Sequence, residues 1–263
     1  MFQRKKVFYS FLILISCSSL LCGCNSNNQS ANLAAASSST ETSSPTQTVS
    51  SSNANASTSQ SNIDVTKLPE VLDTITVDPE NKLMLVNKLH AVSKDYYPTD
   101  MVVIDNSLAT YNNLYLKREA YEAYLKMLEA ANAQNINFLI CSAYRSYELQ
   151  ESLYNKSLAA NGAEYTYTYS AYPGRSEHQT GWAIDLTSKS MGYTLSQNFR
   201  NLPEGKWIEE NCSKYGFIIR YLEGKTDITG YSYEPWHLRY VGVEAAKEIT
   251  SKGITLEEYL GEA

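Results

Sequence analysis

The sequence predicts an α+β fold: one domain of about 200 residues carried behind a leader and a low-complexity stretch. Two observations set this class. Runs of helical period and short apolar runs of strand type are both present, and they do not alternate strictly as strand–helix–strand units. No internal repeat divides the 263 residues, so the elements belong to one core rather than to a stacked array.

Residues 1–23 read as an export signal. Arg4, Lys5 and Lys6 form a basic start, and residues 7–21 are apolar, uncharged and short for a membrane span. Leu21-Cys22-Gly23-Cys24 resembles a bacterial lipobox with Cys24 as the implied lipidated residue; Cys22 fits less well because bulky Leu21 precedes it. An uncleaved anchor is the other reading. Both put the folded part outside the cytoplasm, tied to a membrane. Residues 24–62 are expected to be the lipidated Cys and a Ser/Thr/Asn-rich tether with Glu41 as its single charge. Such a stretch buries too little apolar surface to offset chain entropy.

The domain is expected over residues 63–263. Residues 82–93 read as a helix or an irregular entry segment. Residues 118–133 place Ala120, Tyr121, Tyr124, Leu125, Leu128 and Ala131 at helical spacing. Residues 137–143 are a short apolar run and predict a strand. Residues 147–160 predict a second helix, ended by Asn161-Gly162 and followed by a loop rich in Tyr, Ser, Gly and Pro as far as Arg175. Residues 182–187 alternate and predict a strand with Asp185 at its centre. Residues 198–215 predict a largely helical stretch stopped by Gly216. Strands at 217–221 and 237–241 and a closing helix at 243–251 complete the set.

The net charge of −6 becomes more negative still once Arg4, Lys5 and Lys6 leave with the signal. That balance argues against nucleic acid as a partner and against strong attraction to anionic lipid. Cys141 and Cys212 stay in the domain, either as a disulfide or as two buried thiols; neither has the spacing of a cysteine metal site. The 21 tyrosines cluster within residues 165–172 and 231–240. They serve either ordinary packing or a groove for sugar or peptide.

Two of the three histidines stand in stretches that carry chemistry. One is Ser176-Glu177-His178-Gln179-Thr180-Gly181-Trp182-Ala183-Ile184-Asp185, the other Glu234-Pro235-Trp236-His237. The spacing of His178 and Asp185 puts them on one helix face, or lets a loop feeding a strand fold back to one point. His178, Asp185 and His237 together supply two nitrogens and one oxygen, a set that suits zinc with an open position for water. Glu234 is then free as general base. In the other arrangement Glu234 is the third ligand and Asp185 stands behind it. His90 lies in a polar segment without a partner pattern and reads as structural. Arg145, in Ser142-Ala143-Tyr144-Arg145-Ser146, sits before a predicted helix start and offers a two-pronged fork for a carboxylate.

Ser-Ala-Tyr-Arg-Ser-Tyr-x-x-Gln, Pro-Gly-x-Ser-Glu-His-Gln-Thr-Gly-x-Ala-x-Asp and Glu-Pro-Trp-His-x-Arg-Tyr resemble the signature set of the VanY-like D-alanyl-D-alanine carboxypeptidases, a family that includes related peptidoglycan L,D-carboxypeptidases. Leu85-Val86-Asn87-Lys88 and Tyr97-x-x-Asp100 resemble its entry segment, so the likeness runs over roughly residues 78–243. The resemblance implies a compact zinc peptidase domain, a central antiparallel sheet flanked by helices, as in the hedgehog signalling domain. It implies one Zn2+ held by His178, Asp185 and His237, with Glu234 as catalytic base. Arg145 would bind the substrate's terminal carboxylate or polarise the scissile carbonyl, and Gln150 and Ser176 would line the substrate site. Trp182 is bulkier than the usual aliphatic residue and is expected to reshape the pocket; Ala143 replaces a frequent Gly.

The expected activity is removal of the C-terminal D-alanine from peptidoglycan stem peptides by a lipid-anchored monomer facing the cell wall. L,D-carboxypeptidase action on tetrapeptide stems, a zinc endopeptidase, and a non-catalytic wall-binding lipoprotein are the alternatives.

Overall fold

The computed structural model describes residues 81–263 together with strand β1 (Asp73–Thr74). The expected signal, the Cys24 lipid site and the tether lie outside the described residues. Among the described residues no helix is long and apolar enough to cross a membrane.

Strand β1 pairs in parallel with β2 (His90–Ala91). Residues 82–93 are irregular rather than helical, and Asn87 supplies the reason. Its Oδ1 accepts from the backbone N–H of Leu89 (2.9 Å) and of His90 (3.0 Å), a local turn that competes with helix bonds. The same oxygen lies 2.9 Å from His90 Nδ1, so His90 has the structural role expected. A short antiparallel hairpin follows, β3 (Met101–Val103) with β4 (Tyr115–Lys117), which the sequence pattern did not reveal. Strands this short offer too few residues for a period to emerge.

Helix α1 (Arg118–Asn132) buries Ala120, Tyr124, Leu128 and Ala131 of the predicted stripe, with Met127 added; Tyr121 is only partly buried and Leu125 is exposed. Strand β5 (Leu139–Ser142) and helix α2 (Tyr147–Asn161) follow as expected, α2 starting at its cap Ser146, whose Oγ accepts from Leu149 N (3.2 Å). Helix α3 (Ala163–Tyr169) replaces the first part of the predicted loop. Gly162 ends α2, yet its carbonyl accepts from Thr166 N (3.2 Å) and restarts a helix, which Thr166 Oγ1 pins to Ser157 Oγ of α2 at 2.9 Å.

Strand β6 (Ala183–Thr187) comes next. The predicted helix over 198–215 is broken into a 3-10 turn, Gln197–Asn201, then α4 (Pro203–Asn211) and a second 3-10 turn, Cys212–Tyr215. Pro203 forces the break, because it disfavours helical backbone at Leu202 and is itself a good first helical residue. Gly216 is the left-handed stop expected (φ 85°). Strand β7 (Phe217–Ile219), the single-turn α5 (Thr226–Thr229), β8 (His237–Tyr240), α6 (Val243–Lys252) and α7 (Leu256–Leu260) complete the chain. Helix α7 was not anticipated, although Thr255 and Glu258 form a reciprocal capping box that its sequence spells out. Cys141 and Cys212 are free thiols; Cys212 is buried and Cys141 only half so, which removes the disulfide reading.

The order β5-β6-β8-β7 makes a four-stranded antiparallel sheet. Strand alternation gives it two unlike faces. Ile184, Leu186, Leu238, Tyr240 and Phe217 join α1 and the aromatic residues Phe138, Phe199 and Trp207 in the main core. The neighbouring positions Asp185, His237 and Arg239 point to the other face, and all three are buried too. One sheet therefore carries an apolar core on one side and a covered polar layer on the other.

Gly205 in α4 lies against the preceding turn: a Cβ there would sit 2.0 Å from Phe199 O. Helix propensity favours Ala over Gly by about 1 kcal/mol, but such an overlap with backbone costs about 1–3 kcal/mol or more. Gly205→Ala is expected to lower the thermal midpoint in calorimetry, and a midpoint equal to wild type would show that the Gln197–Asn201 turn yields.

Candidate active site

The polar face of the sheet meets a tight turn that carries His178. Residues Glu177–Thr180 form a 3-10 turn, closed by Gly181 in the left-handed region (φ 73°). The φ of Gly181 is one that side chains rarely adopt, and a Cβ there would also press on the Met101 side chain, 2.9 Å from Sδ, so the reversal favours glycine. Thr180 Oγ1 donates to Glu177 O (2.6 Å) and accepts from Trp182 N (3.1 Å), stapling turn to strand. The chain thus folds back and brings His178 to Asp185, the loop-into-strand form of their spacing. A second turn delivers the other pair: His237 N donates to Glu234 O (3.2 Å) across Pro235 and Trp236.

His178, Asp185 and His237 converge with their ligand atoms within 4.8 Å of one another, a group placed to hold a metal ion. His178 Nε2 lies 3.3 Å from Asp185 Oδ2, and His237 Nδ1 lies 2.9 Å from Asp185 Oδ1. The opposite ring nitrogens are committed elsewhere. His178 Nδ1 is 2.6 Å from the Ala143 carbonyl, and His237 Nε2 is 3.3 Å from Glu177 Oε2. Each ring has an acceptor on its outer nitrogen as well as Asp185 on its inner one; with the proton on the outer nitrogen, the inner nitrogen turns a lone pair to the cluster. That is the arrangement a metal requires.

These residues line a cavity of about 210 Å³ together with Arg145, Ser176, Tyr221, Glu234 and Trp236. Tyr169, Tyr231 and Leu195 also border it, so part of the tyrosine population does build a groove wall. A larger cavity of about 320 Å³ lies between α4, β7 and α6, but its lining of Ile218, Ile219, Leu222, Ile249 and Ile254 brings no comparable cluster of chemical groups together. Arg145 donates to Ser142 Oγ (3.3 Å) and weakly to Ser176 Oγ (3.5 Å), while its buried Nε has no hydrogen-bond partner among the described residues. Its fork is therefore only partly used.

Beneath the metal-type cluster lies a buried ionic network. Glu177 Oε1 accepts from Arg220 Nε and Arg239 Nη1, both at 2.7 Å. Arg220 turns its other two nitrogens to Glu257 of α7, at 2.8 and 2.7 Å. Arg239 also donates to the carbonyls of Lys82 (2.9 Å) and Met84 (2.7 Å).

Charge and burial split the carboxylates. Burial would raise Glu177, but Arg220 and Arg239 outweigh it and hold the carboxyl far below its usual range. Burial would likewise raise Asp185, and the two imidazoles override it in the same direction. Glu234 is compensated less: burial, with help from the Asp185 and Glu177 charges, outweighs His237 and Arg145 and lifts it to about 7. Burial, with Arg145 beside it, pulls His178 down to about 4. His237 goes up to about 9, since its bonds to Asp185 and Glu177 overcome burial.

Of the residues singled out in the sequence, Arg145, Ser176, His178, Asp185, Glu234 and His237 meet in one cavity. Gln150 does not line it. Its Nε2 instead donates to Ala171 O (2.6 Å), so it fixes the loop that forms the wall. Trp182 does not shape the pocket either, being stacked on Tyr240 in the core at 5.7 Å. Glu177, Arg220, Arg239 and Glu257 were missed. Arg239 had a signal, standing two strand residues from His237 and so on the same face; Glu257 had none.

A family model described as VanY, D-alanyl-D-alanine carboxypeptidase, matches residues 113–243. YodJ of Bacillus subtilis (strain 168), named for a carboxypeptidase, is 43% identical over 199 residues, spanning 74% of this chain and 72% of the relative. The structure of the LdcB LD-carboxypeptidase, described for its peptidoglycan recognition, matches with a TM-score of 0.66 and 42% identity, over 73% of this chain and 94% of that one. That of a VanY vancomycin-resistance D,D-pentapeptidase in complex with Zn(II) matches at 0.59 and 32%, over 69% and 99%.

The raised pKa of Glu234 has a consequence for stability. Below about 4.5 the carboxyl is neutral in both folded and unfolded chains; between 4.5 and about 7 only the unfolded chain ionises, so stability falls as pH rises and the loss is complete above 7. Gln mimics the neutral acid. Glu234→Gln is expected to raise the thermal midpoint of chelator-treated protein at pH 8 and to leave it unchanged at pH 4. A lower midpoint at pH 8 would contradict the burial of an unfavourable charge.

Proposed function

We propose, because the chain belongs to the VanY family of D-alanyl-D-alanine carboxypeptidases, that it is a zinc-dependent enzyme removing the C-terminal D-alanine from peptidoglycan stem peptides. The observation that carries this reading is the joint lining of one small cavity by a His/Asp/His cluster, a glutamate lifted to about 7 and an arginine with donors to spare.

His178 through Nε2, His237 through Nδ1 and the Asp185 carboxylate would hold one zinc ion. Two nitrogens, one oxygen and outward-bound ring N–H groups fit a three-ligand catalytic site. When bound, zinc lowers the pKa of a water in its open position toward about 7 and polarises a carbonyl. Glu234 takes the proton from the attacking water and hands it to the departing amine. Its affinity for a proton is matched to that exchange near neutral pH, and the ion's positive charge shifts it toward the base form. Arg145 receives the substrate's terminal carboxylate, with Ser176 steadying one arm of the fork. The cavity of about 210 Å³ is smaller than the ~300–1,000 Å³ of sites that enclose a drug-sized ligand. The partly used Arg145 fork favours a free chain end over a strand running through, and so an exopeptidase over an endopeptidase.

The L,D reading has a specific support: the LdcB LD-carboxypeptidase is 42% identical to this chain, against 32% for the D,D-pentapeptidase. Both reactions use the same machinery and differ in the residue before the scissile bond. The leader and tether in the sequence support a lipoprotein anchored through Cys24 on the outer face of the membrane and turned to the wall.

Purified protein with pentapeptide and tetrapeptide stems, products read by mass, tests reaction and bond together. Free D-alanine from the pentapeptide supports the D,D reading, and release from the tetrapeptide alone gives the L,D one. Muropeptide fragments without free D-alanine would overturn both. Glu234→Gln is expected to keep stoichiometric zinc and lose hydrolysis by at least ~100-fold, the scale of a lost general base; wild-type turnover would remove Glu234 from that role. Arg145→Ala is expected to lower kcat/KM ~10–100-fold, the worth of a charge-assisted bond of ~1.5–3 kcal/mol, and an unchanged kcat/KM would exclude the clamp.

A further inference from the structure

Glu257 lies on α7, beyond the residues 113–243 that the family model spans. It is nonetheless three contacts from His237, with Arg220 and Glu177 between them. Its carboxylate takes Arg220 Nη1 and Nη2 at 2.8 and 2.7 Å and Asn87 Nδ2 at 3.1 Å. All three partners are donors, so an amide could not replace the carboxylate without setting donor against donor. With Nη1 and Nη2 turned to Glu257, Arg220 meets Glu177 through Nε alone, at Oε1, which it shares with Arg239. Glu177 Oε2 stays available, and it is the oxygen that faces His237 Nε2 at 3.3 Å.

We propose that Glu257 is a positioning residue of the metal site, acting through Arg220 to reserve Glu177 Oε2 for His237. Arg220 is fully buried and has no solvent to turn to. Deprived of Glu257, its fork needs a new bidentate acceptor, and Glu177 is the carboxylate already in reach. A fork-to-fork pair would draw Oε2 from His237 and release the ring from the orientation that directs Nδ1 at Asp185. Loss of such an outer partner typically weakens metal binding ~10–100-fold. Helix α7 thus completes the site from outside the family's matched span. The inference rests on the zinc reading above.

The control stands one residue away. Glu258 binds Lys225 Nζ (2.8 Å) and caps α7 through Thr255 N (2.7 Å), without contact to Arg220. Zinc affinity is measured on the full chain by competition with a chromophoric chelator, alongside the thermal midpoint of chelator-treated protein. Glu257→Gln is expected to weaken zinc at least ~10-fold. Glu258→Gln is expected to lower the midpoint with zinc affinity within about 2-fold of wild type. Glu257→Asp, which keeps the charge on a shorter arm, is the milder variant and should fall between wild type and Glu257→Gln. Equal affinity in wild type and both Glu257 variants overturns the proposal, as does equal weakening by the Glu258 control, which would reduce the effect to general stability. Should wild type bind no zinc, the metal reading itself fails, a different result from the loss of the Glu257 effect alone.

Discussion

Glu177 is a buried carboxylate with donors on both oxygens, and the polar half of this protein is arranged around that fact. Two guanidiniums share one oxygen and an imidazole faces the other. Removing a buried ion from water costs several kcal/mol, and only good geometry with every donor and acceptor matched offsets it. Here Glu177 and Glu257 balance Arg220 and Arg239, and the spare donors of Arg239 are met by the Lys82 and Met84 carbonyls. Breaking such a set by losing one partner costs about 3–5 kcal/mol. The entry segment, the sheet and α7 are therefore bound to one another by the same charges that orient His237.

That network explains how two glutamates beside the same cavity take opposite characters. Glu177 is bonded directly to cations and stays ionised; Glu234 is buried without such bonds, and burial outweighs His237 and Arg145 so that it holds its proton up to about 7. Carboxyls pushed apart in this way suit different roles: the first a fixed acceptor, the second a group that exchanges protons near neutral pH. The two histidines separate in the same way, His178 beside Arg145 and His237 between two carboxylates. Each group's environment comes from a different element, so the contrast depends on the tertiary fold.

This limits what a sequence can reveal. Helix α1 was legible because six of its residues keep one period, and the sheet strands because each short apolar run lies between clear stops. The cavity residues were legible because their motifs are local: His178 and Asp185 share one turn and strand, Glu234 and His237 one turn. Helix α3 was hidden because Gly162 reads as a terminator, though its carbonyl starts the next helix. Gln150 and Trp182 were misplaced toward the pocket because a motif gives neighbours in sequence and not the direction of a side chain. The Glu177–Arg220–Glu257 chain joins residues 43 and 37 positions apart, and nothing local in any of the three announces the others.

The two faces of the sheet reconcile these scales. Alternation alone sends Ile184 and Leu238 to the core, and the same rule sends Asp185 and His237 to the opposite side. A one-residue slip in the β6–β8 register would therefore bury charges in the apolar core as well as misalign the site. The hydrophobic face fixes the register, and the cluster on the other face inherits it. The ionic layer then has a narrower task, which is to set the rotation of one imidazole about a backbone already placed. Apolar packing positions the site and buried charge orients it, and neither alone accounts for three ligand atoms meeting within 4.8 Å.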